Sequence, residues 1–498
     1  MRTLGYEFLR QSLLLSAFPL KRPAREFAVT KVGPAETSLA VPPHVAPQDD
    51  DPVSHILFAL KHEGTNLQVL SEALPLIDAA VIHSHLTAAP SSAYVRLLCY
   101  LWEAFNHRQL TDIPVIGGAN VPLFDPKKYV TGPAVRNARW RVLFNGLGSL
   151  RYCVTVERTP GVQQALAADL LGRVGEFLAS LDTVAMDRAL AWAYMHETES
   201  SFAIEREAPT QDKASAFIAL LRQAHEPRTL DEDYFVELQN TVITNPYERA
   251  AAYRHEQNWL QGPLKGAAGV SYVPPSPQLV PELMGELVGL IWATQKTVDP
   301  LVVAAIASFG FVFIHPFMDG NGRLSRFLFH HALCQSGKLA RGLLLPVSVA
   351  MKRNEPAYLA TLQQFSVPAR ERWKVLWVDE GNYAFEFKGS ESIYRYWDAT
   401  ACVEFGYRMA EQALEIDLRK ETEFLARYDA VFKAVDAQYD VRGSDLATLV
   451  RCSLENDGRI SKKRRKQYQY KVPAEVLDAI ELAAQASLSG QDVDEDID

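Results

Sequence analysis

The stretch FGFVFIHPFMDGNGRLSRFLFHHAL, residues 309–333, decides how the rest of the chain is read. Its first six residues close the longest apolar run of the sequence, Pro300 to Ile314, which lies between Asp299 and His315. A run of that size falls short of the ~20 residues that span a bilayer, so it predicts a buried core helix. His315-Pro316 predicts the end of that helix, because proline disfavours helical geometry in the residue before it. The imidazole is then held at a helix end above a core, into which Phe317 can plug to hold the loop. Gly320-Asn321-Gly322 allows backbone conformations closed to branched residues, so successive N–H groups can converge on an anion. A second helix starts there, and its N-terminus adds positive potential. Arg323 and Arg326, three apart in its first turns, can project from one face toward the same anion. Two guanidiniums, a nest of N–H groups and a helix dipole suggest a polyphosphate. Asp319 supplies the hard oxygen that magnesium prefers when it also takes phosphate oxygens. His315 is then a base beside a metal-bound phosphate.

A chain of 498 residues is too long for one ordinary core and implies two or three domains or subdomains. Hydrophobic residues at 48% and charged residues at 22% give a globular balance that excludes a mainly disordered, collagen-like or disulfide-scaffold protein. Fifty-one Lys and Arg against 60 Asp and Glu leave a net charge of −9, which argues against a surface that grips nucleic acid throughout. The five cysteines (Cys99, Cys153, Cys334, Cys402, Cys452) form no CxxC pair, so neither a disulfide framework nor a thiolate zinc site is indicated, and a reducing cytoplasm fits. Glu7 and Arg10 interrupt what would have to be the apolar part of an export signal. No membrane partner is expected.

Along the chain, residues 1–52 are expected to be an irregular segment and linker, ending in the proline- and acid-rich VPPHVAPQDDDP of residues 41–52. Three- and four-residue apolar spacing then predicts an N-terminal helical domain over 53–159, although residues 111–159 show only short apolar runs and glycines. A central domain is expected over 160–375, interrupted by QGPLKGAAGVSYVPPSP (261–277), too rich in glycine and proline for a helix interior. Residues 376–498 are expected to be a further helical region with a basic run at Lys462–Lys466 and a frayed acidic end. The expected fold class is mostly α, a helical core with a short β-hairpin.

The run His315-Pro316-Phe317-Met318-Asp319-Gly320-Asn321-Gly322-Arg323-Leu324-Ser325-Arg326 resembles the signature of the Fic family, HPFx(D/E)GNGRxxR, at every defining position. The resemblance implies a Fic core with extra helical regions at both ends. It implies a protein adenylyltransferase that moves AMP from MgATP to a Ser, Thr or Tyr hydroxyl of a protein target, which can be the chain itself. His315 would be the general base, Asp319 the Mg²⁺ ligand, and Gly320, Asn321, Gly322, Arg323, Leu324, Ser325 and Arg326 the nucleotide-binding run. Phe317 would be structural. Glycine at 322, rather than the lysine of the Doc branch, favours nucleotidyl transfer over phosphate transfer. Gly269, Val270, Ser271 and Tyr272 resemble the Fic flap, a hairpin that presents the target segment and covers the nucleotide. Tyr358 is the expected neighbour of the adenine ring.

Ser201-Phe202-Ala203-Ile204-Glu205-Arg206 resembles the Fic inhibitory pattern (S/T)xxxE(G/N) up to its last position, within a helix expected near 197–207. Glu205 would pair with Arg326 and keep the γ-phosphate from its productive place. Arg206 stands where the pattern has Gly or Asn, and a need for close helix approach there would weaken inhibition. A glutamate so placed also suits water-driven removal of AMP, so the direction stays open.

Other readings are set against this one. His330-His331 has no acidic or cysteine partner at ligand spacing and reads as structural or surface. The His-Glu pairs at His62, His196, His225 and His255 lack the second histidine of HExxH, and there is no GxxxxGK(S/T) loop. The rival function is a nucleotide-sensing, non-catalytic regulator that uses the same pocket, with Lys462–Lys466 contacting DNA. Donors such as UTP or GTP, and a homodimer, are compatible with the sequence.

Overall fold

The computed structural model describes residues 2–243, 245–339, 342–379 and 382–490. The fold is mostly α-helical with a few short strands. At its centre lies helix Pro300–Ile314, capped by the Asp299 side chain on the Leu301 N–H at 2.9 Å, with proline at its first position where no N–H is needed. Nearly all of this helix is buried, as a sequence apolar all round but for Ser308 demands. It stops at His315, whose φ of +53° is left-handed, and Pro316 prevents its continuation. The motif helix Asn321–Gln335 follows and returns against it, with Leu324, Phe327, Leu328 and Leu333 in the same core.

Helix Thr183–Ile204 packs across the motif helix. Its buried positions, Ala189, Ala193, Tyr194, Glu197, Thr198, Ser201 and Phe202, follow helical spacing but include three polar residues. Glu197 accounts for one of them: its carboxylate accepts from His330 Nε2 at 2.7 Å and from the Ser348 N–H at 2.7 Å and hydroxyl, bolting three helices together. His330 is thereby structural. His331, also buried, has no hydrogen-bond partner on either ring nitrogen among the described residues.

Several expectations for the flanking regions change. Residues before 52 are not irregular: they form helix Gly5–Ser12 and a three-stranded sheet of Ala24–Glu26, Gly33–Pro34 and Leu39–Val41. Strands of two or three residues carry no alternation long enough to read. Residues 53–159 hold helices Pro52–His62, Leu67–Ala73, Ala79–Ala88 and Ala93–Asn106, followed by five short strands between Val121 and Thr155. One of these, Cys153–Thr155, pairs in parallel with Tyr396–Asp398 from far down the chain. The central core therefore does not stop at 375. It takes in Ile393, Trp397 and the buried face of helix Thr400–Gln412, and runs to Leu418. Position 375 itself falls within an antiparallel hairpin, Trp373–Asp379 with Asn382–Phe387. A separate small core joins Val431, Leu446, Leu449, Leu477 and Ile480 near the C-terminal end. The acidic end at 491–498 lies outside the described residues. No helix is long and apolar enough to cross a membrane, among the described residues.

Candidate active site

The imidazole of His315 is held by its own helix. Nδ1 lies 3.1 Å from the Val312 carbonyl, which can only accept, so the ring proton is on Nδ1 and Nε2 carries the free lone pair. The residue is 8% exposed, and burial pushes its pKa down to about 4, with the Arg254 cation acting in the same direction and the Glu205 and Asp319 carboxylates opposing. At neutral pH the ring is an uncharged base with one nitrogen free.

The loop after it is shaped by Asn321, whose side chain clamps the Phe317 peptide from both sides: Oδ1 accepts from Phe317 N at 3.0 Å and Nδ2 donates to Phe317 O at 2.8 Å. Phe317 fills the core as expected, 1% exposed. Gly320, at φ +86°, turns the chain into the motif helix, and no side chain caps that helix. Its first N–H groups are thus left for an anion. Of the expected nucleotide-binding run, two side chains are turned elsewhere. Leu324 is in the core, and the Ser325 hydroxyl donates back to Gly322 O at 2.8 Å. Both side chains help to build the helix.

Arg323 and Arg326 are both 1% exposed and both engaged from the end of helix Thr183–Ile204. Arg326 donates through Nε to Ser201 Oγ at 2.7 Å, and through Nη2 to Ser201 O at 2.7 Å and Glu205 Oε1 at 2.9 Å. The Glu205 carboxylate also lies against the nest: a Cβ placed on Gly322 would stand 2.0 Å from Glu205 Oε1. Arg323 rests on the Phe202 ring, 5.1 Å from its centroid, and donates to Val242 O and Glu207 Oε2, each at 2.9 Å. Even so, among the described residues Arg323 Nε and Arg326 Nη1 have no hydrogen-bond partner and are buried. Buried donors of that kind call for further acceptors, and a phosphate group would supply them.

Glu207 is the residue that the sequence reading missed. It is brought to Arg323 by the way the helix ends. Arg206 N–H donates to Ala203 O at 3.1 Å and Glu207 N–H to Phe202 O at 3.1 Å, the paired bonds of a Schellman end. Lys352 Nζ, from helix Val347–Arg353, donates to Ala203 O at 3.1 Å and supports the same end. This end requires Arg206 at φ +61°, the left-handed region. The reason for Gly or Asn at that position is therefore backbone conformation, not close helix approach.

Asp319 Oδ1 accepts from the Gly320 N–H at 2.6 Å, while Oδ2 is 3.4 Å from Arg323 Nη2 and the side chain is partly exposed. Among the described residues no group of three His, Cys, Asp or Glu side chains could hold a metal by itself. One accessible carboxylate does fit a Mg²⁺ that also takes phosphate oxygens and water.

The flap is present as a short antiparallel hairpin, Leu260–Gln261 with Val270–Tyr272. Val270 and Tyr272 face inward, the Tyr272 hydroxyl donating to Phe313 O, and only Ser271 faces out. Gly269 is buried immediately before the second strand. The Val270 and Tyr272 side chains thus belong to the core, leaving the strand's backbone and Ser271 as the exposed features. Tyr358 is also a core residue: its ring packs with Phe405 and Phe309, centroids 5.7 and 6.0 Å away, and Arg326 acts on its hydroxyl. It is not an open surface on which a base could stack.

Residues 229–333 match the Fic/DOC family model. The chain is 30% identical over 158 residues to a Caenorhabditis elegans protein named protein adenylyltransferase fic-1, covering 30% of this chain and 28% of that one. It is 28% identical over 159 residues to protein adenylyltransferase Fic of Nematostella vectensis, covering 31% of this chain and 34% of that one. The alignments span about a third or less of these curated relatives' own lengths. A crystal structure of a Fic family protein from Desulfovibrio desulfuricans G20 aligns at 19% identity and a TM-score of 0.39, covering 62% of this chain and 90% of that one. The chain carries a Fic/DOC family domain, with helical regions on both sides of it.

Proposed function

We propose that this chain is a protein adenylyltransferase, moving AMP from MgATP to a hydroxyl side chain and restrained by its own Glu205 and Glu207. The observation that carries this reading is the geometry of one pocket: an uncharged imidazole with a free Nε2, beside an uncapped helix N-terminus and two buried arginines with unpaired donors. Transfer of this kind asks mainly for positioning and charge neutralisation. The triphosphate tail would bind the N–H groups at Asn321–Arg323 together with the Arg323 and Arg326 side chains. His315 Nε2 takes the proton of the target hydroxyl, and its oxygen bonds to the α-phosphorus. The bond from that phosphorus to the β-phosphate bridging oxygen breaks, and pyrophosphate leaves. Asp319 would hold Mg²⁺, which when bound offsets phosphate charge.

Glu205 and Glu207 stand on the arginines as a pair of anions, so the helix end and a phosphate compete for the same donors. Release of the helix end is the step that would admit the nucleotide productively. The test is labelling of the Glu205→Gly chain with ATP carrying the label at the α- or the γ-position. Label retained from the α-position alone is the expected result; label from the γ-position would mean phosphate transfer, and nucleotide binding without label from either would favour a sensor.

A further inference from the structure

We infer that Arg254, with Asn258 beside it, is a positioning strap for the base, tying the loop at His315 to the foot of the flap. Three consecutive carbonyls of that loop are taken by one short segment. Arg254 Nε donates to His315 O at 2.8 Å, the Arg254 N–H to Pro316 O at 2.8 Å, and Asn258 Nδ2 to Phe317 O at 2.9 Å. The far side of the guanidinium reaches the chain just after the flap strand, Nη2 donating to Pro275 O, while Nη1 donates to Glu256 O at 3.1 Å.

Arg254 is 5% exposed, and among the described residues no carboxylate pairs with it. Burial pushes its pKa down to about 10, so it is still a cation at neutral pH. Burying a charge against carbonyl dipoles alone is costly, and an apolar side chain of similar volume would cost less if packing were the only demand. A planar fork of donors, however, can hold two separate loops at a fixed spacing, which a lysine's single ammonium cannot. The loop it holds includes His315 in a left-handed conformation that needs external support. The strap thereby fixes the base relative to the flap, while the donors that face the nucleotide, Arg323 and Arg326, lie on the motif helix.

The kinetic arm of the test rests on the AMP-transfer reading; the structural arm does not. Arg254→Lys, Arg254→Met and the milder Asn258→Ala are placed in the Glu205→Gly chain. Melting temperature, affinity for a non-hydrolysable ATP analogue, transfer rate at saturating ATP, and hydrogen exchange of peptides covering 309–324 are then measured. A misplaced reacting group costs on the order of a hundredfold. The expected result is therefore a ten- to hundredfold fall in kcat for both Arg254 variants, a smaller fall for Asn258→Ala, nucleotide affinity within twofold, and faster exchange around His315. An unchanged kcat, or a nucleotide affinity that falls as much as kcat, overturns the strap. If the parent transfers nothing, the function proposed above fails, and exchange decides the strap alone: unchanged exchange in the folded variants refutes it. If Arg254→Met does not fold, Arg254→Lys and Asn258→Ala carry the same comparison.

Discussion

Replacing Glu205 with glycine is the perturbation whose outcome can be worked furthest. The side chain makes one charge-assisted bond to a fully buried guanidinium, Arg326, and fills the space over Gly322. Such bonds contribute roughly 1.5–3 kcal/mol, but Glu205 is 37% exposed, so screening lowers this to roughly 1–2 kcal/mol. That corresponds to about fivefold to thirtyfold in the balance between latched and open pockets. Glu207 contributes a further bond at 2.9 Å and a long one at 3.4 Å to Arg323, for roughly 1 kcal/mol, or about fivefold. Both residues hang from one helix end, so the double variant is expected to exceed either single one without reaching their product. The assay is incorporation of α-labelled ATP into the chain itself, with ATP affinity by calorimetry alongside. Equal incorporation and equal affinity in wild type, Glu205→Gly and the Glu205→Gly, Glu207→Gln double variant would refute the latch.

Three further outcomes are expected. Arg206→Gly relieves a left-handed residue at a helix end, worth at most roughly 1 kcal/mol, so it should tighten the latch and lower basal labelling by up to about fivefold; a rise in labelling would contradict the backbone explanation. His315→Ala should cut transfer by ~10²- to 10⁴-fold while leaving ATP affinity unchanged, because in the proposed reaction the imidazole would meet the incoming hydroxyl and not the phosphates; retained transfer would remove it as the base. His331 is buried with both nitrogens unpaired, and burial lowers its pKa to about 4. The unfolded chain binds the proton below about pH 6.5 and the folded chain does not, so this residue costs stability as pH falls from about 6.5 to 4, by up to ~1.4 kcal/mol per pH unit. His331→Leu should flatten urea-unfolding stability over that window, and an unaltered slope would count against it.

How much of this was legible in the sequence follows from how local each feature is. The helix end at His315, the glycine turn and the two arginines are encoded within one run of neighbours, and the structure has them where the run suggests. Glu205 was legible only through a resemblance, since nothing in Ser201–Arg206 itself points at a residue 121 positions later. Glu207 and Arg254 were not legible at all: their partners are 116 and 61 residues away, and their own surroundings are those of ordinary surface charges. What Arg206 does in place of Gly or Asn is not legible in the sequence, because a left-handed φ cannot be read from a helical pattern that simply stops. Tyr358 was expected beside the adenine ring through the resemblance alone, and nothing in its own helix shows that its ring packs against Phe405 and Phe309. The two- and three-residue strands before residue 160 lie below the length at which alternation exists.

The most direct test of the central claim is intact-mass measurement of the Glu205→Gly chain after incubation with ATP and Mg²⁺, beside the same chain carrying His315→Ala. One or more AMP adducts are expected on the first and none on the second. Adducts on both, or on neither while ATP still binds, would contradict the claim.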